Sequence, residues 1–297
     1  MKQSSRAAKV KSALLYSTCS TTMLVTNKLA VEACNAPTLL TCVQLGTASS
    51  AVIFLLYFRE YKHVGIKVMA LYAVEATCFA FGLLANMLSL LYTSVGAVIA
   101  ARSCVPLIVV CYEVISSSRR IPRAGACLAL LGVAGCATGY ASTDSEVQIS
   151  GLRGGFWLAM YVAILSFQTV YGKWIISRAR MSHLQRVLYT NIFGLPMLCC
   201  IVIVTGETHQ LVVSRLALRT AALTCVLGLG ISYSGWELRA IVDATTFSLI
   251  GVLNKSLSIL LSLIVFGRSS SWSGIFLLLG SILSVFLYEA QNVSEGF

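Results

Sequence analysis

The chain has 297 residues, of which 57% are hydrophobic and only 11% are charged, and its mean hydropathy is +0.83. About one quarter of the residues of a typical soluble domain are charged, so this composition excludes a mainly soluble protein and predicts helices that lie in lipid. The formal net charge of +11 would suggest a nucleic-acid partner for a soluble protein. In a membrane protein the placement of the charges reports topology instead, and we expect no nucleic-acid partner.

Ten apolar segments follow one another along the chain and predict ten transmembrane helices. Each is close to the ~20 residues that span the hydrocarbon core, and each ends at a charged or Gly-, Pro- or Ser-rich break. The predicted spans are 11–33, 37–58, 66–91, 93–115, 124–141, 152–177, 185–206, 218–241, 243–266 and 272–290. We therefore expect an all-α membrane protein that forms a single transmembrane domain over residues 1–297.

The lysines and arginines of the predicted loops are distributed asymmetrically. Fourteen of them fall on the side that holds both termini, and the other side has only Arg153, Arg215, Arg219 and Arg268. Cytoplasmic loops carry an excess of Lys and Arg, so both termini are predicted to be cytoplasmic.

The remaining four cations fall within the predicted spans: Lys28, Lys173, Arg102 and Lys255. The first two lie near helix ends, from which a long side chain can reach the headgroups. Arg102 and Lys255 stand near mid-helix, where an unpaired cation costs roughly 3 kcal/mol or more. Two interpretations are open. Either these cations pair with the acids inside the spans, Glu75 and Glu113, or they form a site for an anionic substrate.

Residues suited to metal or acid–base chemistry are not grouped in this sequence. The three histidines, His63, His183 and His209, fall in predicted loops, and the eleven cysteines show no CxxC spacing. Zinc sites and disulfide frameworks have characteristic cysteine spacings, so we expect neither here. No metal and no cofactor are predicted.

An internal repeat would place the two mid-helix cations at equivalent positions. Two halves of five spans, about 11–141 and 152–290, would be inverted copies of each other, as is common in secondary transporters. Setting Arg102 on Lys255 aligns VGAVIAARSCVPLIVV with SLIGVLNKSLSILLSL, in which each cation precedes a serine. The alignment predicts that both cations converge on one cavity near the membrane midplane.

Small and polar residues recur at helical spacing in two spans. In the ninth span they form a stripe with Asn254 beside it: Ser248, Gly251, Lys255, Ser258 and Ser262. In the fifth span Gly132, Gly135 and Gly139 include a small-xxx-small pair. Such residues allow close helix packing, within the chain or between subunits, so a homodimer is left open.

The segment GISYSGWELRAIVDATTFSLIGVLNKSLSI, residues 230–259, resembles the GDP-mannose transporters of the drug/metabolite transporter superfamily. That family has a Gly-Ala-Leu-Asn-Lys motif, which reads Gly-Val-Leu-Asn-Lys at 251–255 here, and a Phe-Tyr-Asn-Asn motif, which reads Leu-Tyr-Thr-Asn at 188–191. The segments VTNK at 25–28 and YEV at 112–114, together with Gln44, also fall in the family's order. The chain departs from the family at Leu188, Thr190 and Val252, and it has Arg102 and Ser103 where the family usually has Lys-Asn.

The resemblance implies a nucleotide-sugar antiporter and a set of substrate-binding residues. The set carried over by resemblance is Tyr189, Asn191, Ser248, Gly251, Asn254 and Lys255, and the argument from buried charge adds Arg102. We expect Lys255 and Arg102 to bind phosphate, Asn254 with a close backbone approach at Gly251 to bind the nucleotide, and the residues of the other motif to bind the sugar or ribose. The whole chain, residues 1–297, would then be one transporter domain.

On this reading the protein brings a GDP-sugar into the Golgi lumen and returns a nucleoside monophosphate, with membrane lipids as its other partners. The alternatives within transporters are carriers of UDP-sugars or of sugar phosphates such as triose phosphates, in another endomembrane or a plastid membrane. A membrane-embedded glycosyl- or phosphotransferase is an alternative of a different class, but such chemistry needs acidic or histidine residues at the reaction site, so no enzyme is expected. A non-transporting scaffold or receptor is the third reading.

Overall fold

The computed structural model describes residues 2–58, 64–93, 95–116, 122–143, 151–179, 181–266 and 272–294. Within these ranges the chain is helical and contains no strand. The helices are α1 (Lys2–Cys34), α2 (Pro37–Tyr57), α3 (Ile66–Tyr92), α4 (Val95–Ser103), α5 (Val105–Ile115), α6 (Ala124–Thr143), α7 (Gly151–Arg178), α8 (His183–Thr205), α9 (Arg215–Ile241), α10 (Ala244–Phe266) and α11 (Trp272–Ser294), with a 3-10 turn at Glu207–His209. The prediction of an all-α membrane protein is confirmed.

Most helix boundaries lie within three residues of the predicted ones. Nine stretches of the described chain are long and apolar enough to cross a membrane, and α4 and α5 together form one of them, Ala97–Ile115. The first predicted span corresponds to α1, which is not among these nine. It begins at Lys2 rather than near residue 11 and is more polar than the others, with a Ser- and Thr-rich middle. Its hydroxyls can bond within the helix, as Thr26 Oγ1 does to the Thr22 carbonyl oxygen at 2.9 Å, which gives such a hydroxyl a partner within its own helix.

The predicted fourth span is broken at Cys104, where α4 ends and α5 begins. Pro106 explains the break, because proline has no N–H to donate to the carbonyl four residues earlier, which belongs to Arg102. The Cys104 amide instead donates to the Ala101 carbonyl oxygen at 3.1 Å, one residue short of the helical partner. The sequence analysis treated 93–115 as one continuous helix, and this part of the prediction is wrong.

The chain forms two compact units, one of Met1–Ala80 with Tyr171–Val242 and one of Phe81–Val170 with Asp243–Phe297. Each unit combines parts of both predicted repeat halves, and the inverted repeat stays a prediction. In the first unit α1 packs on α9 and α2 on α8, around a core that includes Tyr72, Ile175 and Trp236. In the second unit α6 packs on α11 and α4, and α10 packs on α5 and α11.

The glycines predicted to mediate packing in the fifth span lie on α6. A Cβ on Gly132 would lie 2.8 Å from Ser284 Oγ, and one on Gly139 would lie 3.1 Å from Leu277 Cδ2. These two glycines therefore admit α11 of the same chain. Gly135 has open space around its Cα, and the homodimer stays a prediction.

In the first unit, a carboxylate that was not singled out from the sequence binds the N-terminal end of α2. Glu207 Oε2 accepts the backbone N–H groups of Thr38 at 2.8 Å and Leu39 at 3.0 Å. The first N–H groups of a helix have no partner within the helix, and a negative charge there also interacts favourably with the helix dipole. Glu207 thus caps α2 from the segment after α8.

Two cations counted on the side of the termini lie inside helices, within the predicted spans 185–206 and 218–241. Arg186 is in α8 and only 5% exposed, and Arg239 is in α9. His183 is also helical, at the start of α8, where its ring lies 6.0 Å from that of Tyr233. Other residues of the loop prediction lie outside the described ranges: Arg59, Lys62, His63, Arg119, Arg120, Arg180 and Arg268.

Candidate functional site

The second unit brings Arg102 and Lys255 close together. Lys255 lies at the midpoint of α10, eleven residues from either end (Ala244–Phe266). The Arg102 guanidinium lies against Gly251, one turn before Lys255, because a Cβ on Gly251 would be 3.4 Å from Arg102 Nη2. Residues four apart lie on one face of a helix, so the two cations stand about one turn apart along the same face of α10.

The partner that the structure gives to Arg102 is a tyrosine that the sequence analysis missed. Arg102 Nη1 donates to the Tyr161 hydroxyl oxygen at 2.7 Å. Tyr161 is only 5% exposed and belongs to an apolar cluster with Ala85 and Val98. Its ring is therefore fixed by packing, and its hydroxyl is presented to the guanidinium from α7.

Asn254 is a buried amide. The residue is 2% exposed, and among the described residues neither Oδ1 nor Nδ2 has a hydrogen-bond partner. Leaving a buried polar group unsatisfied costs about 1–3 kcal/mol, so such a group calls for an explanation. A ligand that both donates and accepts would supply the missing bonds.

The serines on α10 are occupied mainly by the helix itself. Ser248 Oγ donates to the Thr245 carbonyl oxygen at 2.8 Å, and Ser258 Oγ donates to the Asn254 carbonyl oxygen at 2.7 Å. Ser256 Oγ lies 2.9 Å from Ser281 Oγ on α11. Ser248 therefore retains only acceptor capacity for a substrate. The side chain of Ser262, the last of the predicted stripe, lies outside the described residues.

The acids proposed as partners of the two cations have other roles. Glu113 caps α10, since its Oε2 accepts from Thr245 Oγ1 at 2.6 Å and its Oε1 accepts from the Ala244 N–H at 3.2 Å. Glu75, in the first unit, accepts a hydrogen bond from Arg239 Nη1 at 2.8 Å. These contacts favour the interpretation in which Arg102 and Lys255 serve an anionic substrate.

The two shallower cations have structural roles in the first unit. Lys173 Nζ donates to the carbonyl oxygens of Arg239 at 3.0 Å and Ala240 at 3.3 Å, and so it satisfies the C-terminal end of α9. Lys28 Nζ lies 4.0 Å from Glu32 Oε1 in a partly exposed pair along α1. Neither contact points to a substrate.

Tyr189 and Asn191 lie on α8, in the first unit. Ser182 and Gln185 form a capping box that starts this helix. Tyr189 is 7% exposed, and its ring stacks on that of Phe193 with centroids 6.0 Å apart. Asn191 is 5% exposed, and its Nδ2 has no hydrogen-bond partner in the part of the chain that the structure describes.

A second polar pair in the first unit falls on residues that the resemblance placed in order. Gln44 Nε2 donates to Asn27 Oδ1 at 3.0 Å, which joins α2 to α1, and Gln44 is 4% exposed. The hydroxyl of Thr190, a departure from the family motif, is buried and finds no hydrogen-bond partner within the described ranges. Five of the predicted site residues thus belong to the second unit and two to the first. Within the described residues no group of three or more His, Cys, Asp or Glu side chains could hold a metal ion.

These features define a multi-pass helical membrane protein with a pair of adjacent cations and an unsatisfied buried amide in one of its units. No protein-family model matches the chain. It is similar to "GDP-fucose transporter 1" of Arabidopsis thaliana, with 27% identity over 90% of this chain and 81% of the relative. It is also similar to "GDP-mannose transporter GONST3" of the same organism, with 24% identity over 91% of this chain and 75% of the relative.

The predicted resemblance to nucleotide-sugar transporters is therefore confirmed over nine-tenths of the chain, and both named relatives are transporters rather than enzymes. A solved crystal structure of a protein 15% identical in sequence superposes with a TM-score of 0.73 and covers 99% of both chains. At that level of identity the match concerns the fold alone.

Proposed function

We propose that this protein is a nucleotide-sugar transporter whose preferred substrate is a GDP-sugar. The observation that carries the proposal is the pair Arg102 and Lys255, held one turn apart beside the unsatisfied amide of Asn254. The names of the two relatives, which specify GDP-fucose and GDP-mannose, support the GDP-sugar class.

The charge of the pair suits the phosphates of such a substrate. Two cations match the two negative charges of a diphosphate bridge, and they also match a nucleoside monophosphate, which is close to a dianion at pH 7. Arg102 and Lys255 would therefore bind phosphate oxygens, for which arginine and lysine are the usual side chains. The Asn254 amide, which can donate and accept, is assigned to the nucleotide.

Obligate exchange follows from the same electrostatics. In the empty state the two like charges stand close together in a region of low dielectric, and a bound anion offsets both of them. A ligand shifts a conformational equilibrium only through its differential affinity for the two states. Reorientation with an anion bound is thus favoured over reorientation of the empty carrier, so a nucleotide sugar is exchanged for a nucleoside monophosphate.

The resemblance also assigns Tyr189 and Asn191 to the sugar or ribose, and it implies a location in the Golgi membrane. The excess of Lys and Arg on one side supports cytoplasmic termini. Protease protection in intact Golgi vesicles tests this topology: an epitope added to the N-terminus should be removed by external protease. A protected epitope would contradict it.

A substrate panel in proteoliposomes tests the proposal. Vesicles preloaded with GMP should take up GDP-mannose or GDP-fucose, whereas UDP-sugars and triose phosphates should compete poorly. Exchange of a UDP-sugar or a triose phosphate with no exchange of GDP-sugars would contradict the GDP-sugar assignment. The pair of cations would suit those substrates as well, and they are therefore the alternatives that the panel includes.

Two lysine variants separate a site effect from a general loss of charge. Lys255→Ala should abolish exchange while the protein still folds and inserts, as judged by its elution from a size-exclusion column. Lys67→Ala is the matched control, because Lys67 is exposed at the start of α3. Unchanged uptake by Lys255→Ala, or equal loss in both variants, would overturn the proposed site.

A further inference from the structure

The guanidinium of Arg102 is held on two sides by residues of the second unit. Nη1 donates to the Tyr161 hydroxyl oxygen at 2.7 Å, and Nη2 lies 3.4 Å from where a Cβ on Gly251 would stand. We propose that Tyr161 and Gly251 are positioning residues that fix this guanidinium for the phosphate groups of a nucleotide. The inference rests on the proposed function, since it concerns how the same site presents its charge.

Tyr161 is built as a rigid anchor. The residue is 5% exposed, and partly buried Trp157 and Ile164 pack against its cluster. A packed ring leaves its hydroxyl one position, so the bond directs the flexible arginine side chain and is not directed by it. An arginine has five N–H donors. Within the described residues only one of the donors of Arg102 is used, which leaves the others for a ligand.

Gly251 supplies the space on the other side. A methyl group there would lie at van der Waals distance from Nη2, at 3.4 Å, and a larger side chain would displace the guanidinium. The sequence analysis assigned Gly251 to a close approach between backbone and nucleotide. The structure shows a different neighbour for that face, the side chain of Arg102.

The Tyr161 anchor and the space at Gly251 are needed because of Lys255. The ammonium group and the guanidinium repel each other, and an unrestrained arginine would turn its charge away from α10. Anchoring keeps the two charges convergent before a ligand arrives, and such preorganisation lowers the cost of binding. The planar guanidinium binds phosphate in a defined direction, whereas an ammonium group acts as a point charge, so fixing its orientation matters more here than it would for a lysine.

Tyr161→Phe removes the anchor and tests the proposal through a phosphate-specific measurement. GMP and guanosine are compared as inhibitors of GDP-mannose exchange by the proteoliposomes. We expect about a tenfold weaker inhibition by GMP, as for the loss of a hydrogen bond to a charged group, with inhibition by guanosine unchanged. Equal weakening of both inhibitors, or no change in either, would overturn the proposal.

Tyr171→Phe is the matched control. It also deletes a tyrosine hydroxyl that makes a hydrogen bond, to the Leu71 carbonyl oxygen at 3.1 Å in the first unit. The control should leave the ratio of GMP to guanosine inhibition at the wild-type value. A shift of that ratio equal to the shift in Tyr161→Phe would show that the effect is a general one, and it would overturn the assignment.

Double variants show whether each residue acts through Arg102, because coupled sites give non-additive effects. In an Arg102→Lys background, Tyr161→Phe should change GMP inhibition no further. Gly251→Val should weaken GMP inhibition in the wild-type background and have no effect beside Arg102→Lys, since a lysine has no guanidinium to displace. If Tyr161→Phe does not fold, the Gly251 variants with and without Arg102→Lys still test the proposal. Additive effects on GMP inhibition, for either residue, would contradict it.

The wild-type protein separates this inference from the proposed function. Absence of nucleotide-sugar exchange and of GMP inhibition in the wild type would overturn both. Wild-type exchange that GMP inhibits, with the same GMP inhibition in Tyr161→Phe and in Gly251→Val, would overturn the inference alone.

Discussion

Replacing Lys255 by methionine should stabilise the empty protein while it removes transport. Methionine has nearly the length of lysine and no charge, so Lys255→Met keeps the packing of α10 and deletes one of the two neighbouring cations. The structure gives the Lys255 ammonium no carboxylate partner among the described residues. The charge of Lys255 thus destabilises the folded state, and we expect a bound anion to offset it.

The size of the effect follows from the geometry. Gly251 contacts the Arg102 guanidinium, and four residues of helix correspond to about 6 Å. Two like charges ~7 Å apart at an effective dielectric constant of ~20 repel by roughly 2 kcal/mol. The loss of this repulsion, with the loss of the desolvation cost of the ammonium group, should raise the melting temperature by several degrees.

Thermal unfolding in detergent, with and without GMP, measures both halves of this prediction. A ligand at about 100 times its Kd stabilises a protein by about 2.7 kcal/mol, so GMP should raise the melting temperature of the wild type and leave Lys255→Met unchanged. Lys67→Met is the control, with wild-type behaviour in both respects. The reasoning is refuted if Lys255→Met melts below the wild type, or if GMP stabilises it as strongly as the wild type.

Further variants probe three polar side chains: Asn254, Glu207 and Glu75. Asn254→Leu should leave the melting temperature equal or raised, because it removes an unsatisfied amide, and it should raise the KM for GDP-mannose about tenfold; an unchanged KM would exclude the amide from the site. Glu207→Gln should lower the free energy of unfolding by about 1–2 kcal/mol through the weaker cap on α2, without changing KM. Chemical denaturation in detergent measures this change, and an unaltered free energy of unfolding would contradict the role of the cap. Glu75→Leu should destabilise by about 3–5 kcal/mol because it leaves Arg239 buried without its carboxylate, and adding Arg239→Leu should restore most of the loss; a further loss in the double variant would contradict the pairing.

The helices were predictable because lipid imposes a local rule on the sequence. A span must be apolar over about 20 residues, and the ends of α2, α3, α6 and α10 follow from that rule within three residues. The break between α4 and α5 was also encoded locally. Pro106, two residues after the break, was the signal that the analysis did not use.

Partners distant in sequence were not predictable by such local rules. The pairing of Arg239 with Glu75 was not predicted, because 164 positions separate the two residues in sequence. Tyr161 was missed for the same reason, since 59 positions separate it from Arg102. Hydropathy and spacing describe one helix at a time, whereas these contacts depend on which helices are neighbours.

Arg102 and Lys255 were recognised because charge is so unfavourable in lipid that its position stands out in any apolar segment. Only Lys255 lies at mid-helix as predicted, since Arg102 is in the last turn of α4, beside the break. The family motif around Asn254 then indicated that the anionic substrate is a nucleotide. The resemblance could not show that the glycine of this motif faces the Arg102 side chain. That contact depends on the approach of α4 to α10, which only the structure provides.

The most direct test of the exchange mechanism is the dependence of GDP-mannose uptake on the internal nucleotide. Purified protein is reconstituted into liposomes that are either empty or loaded with GMP, and the initial rate of labelled GDP-mannose uptake is measured in each. We predict that GMP-loaded vesicles take up the label at least ten times faster than empty ones, and that Lys255→Ala removes the difference. Equal uptake by empty and loaded vesicles would contradict exchange, and no uptake of any nucleotide sugar by either would contradict the proposed function.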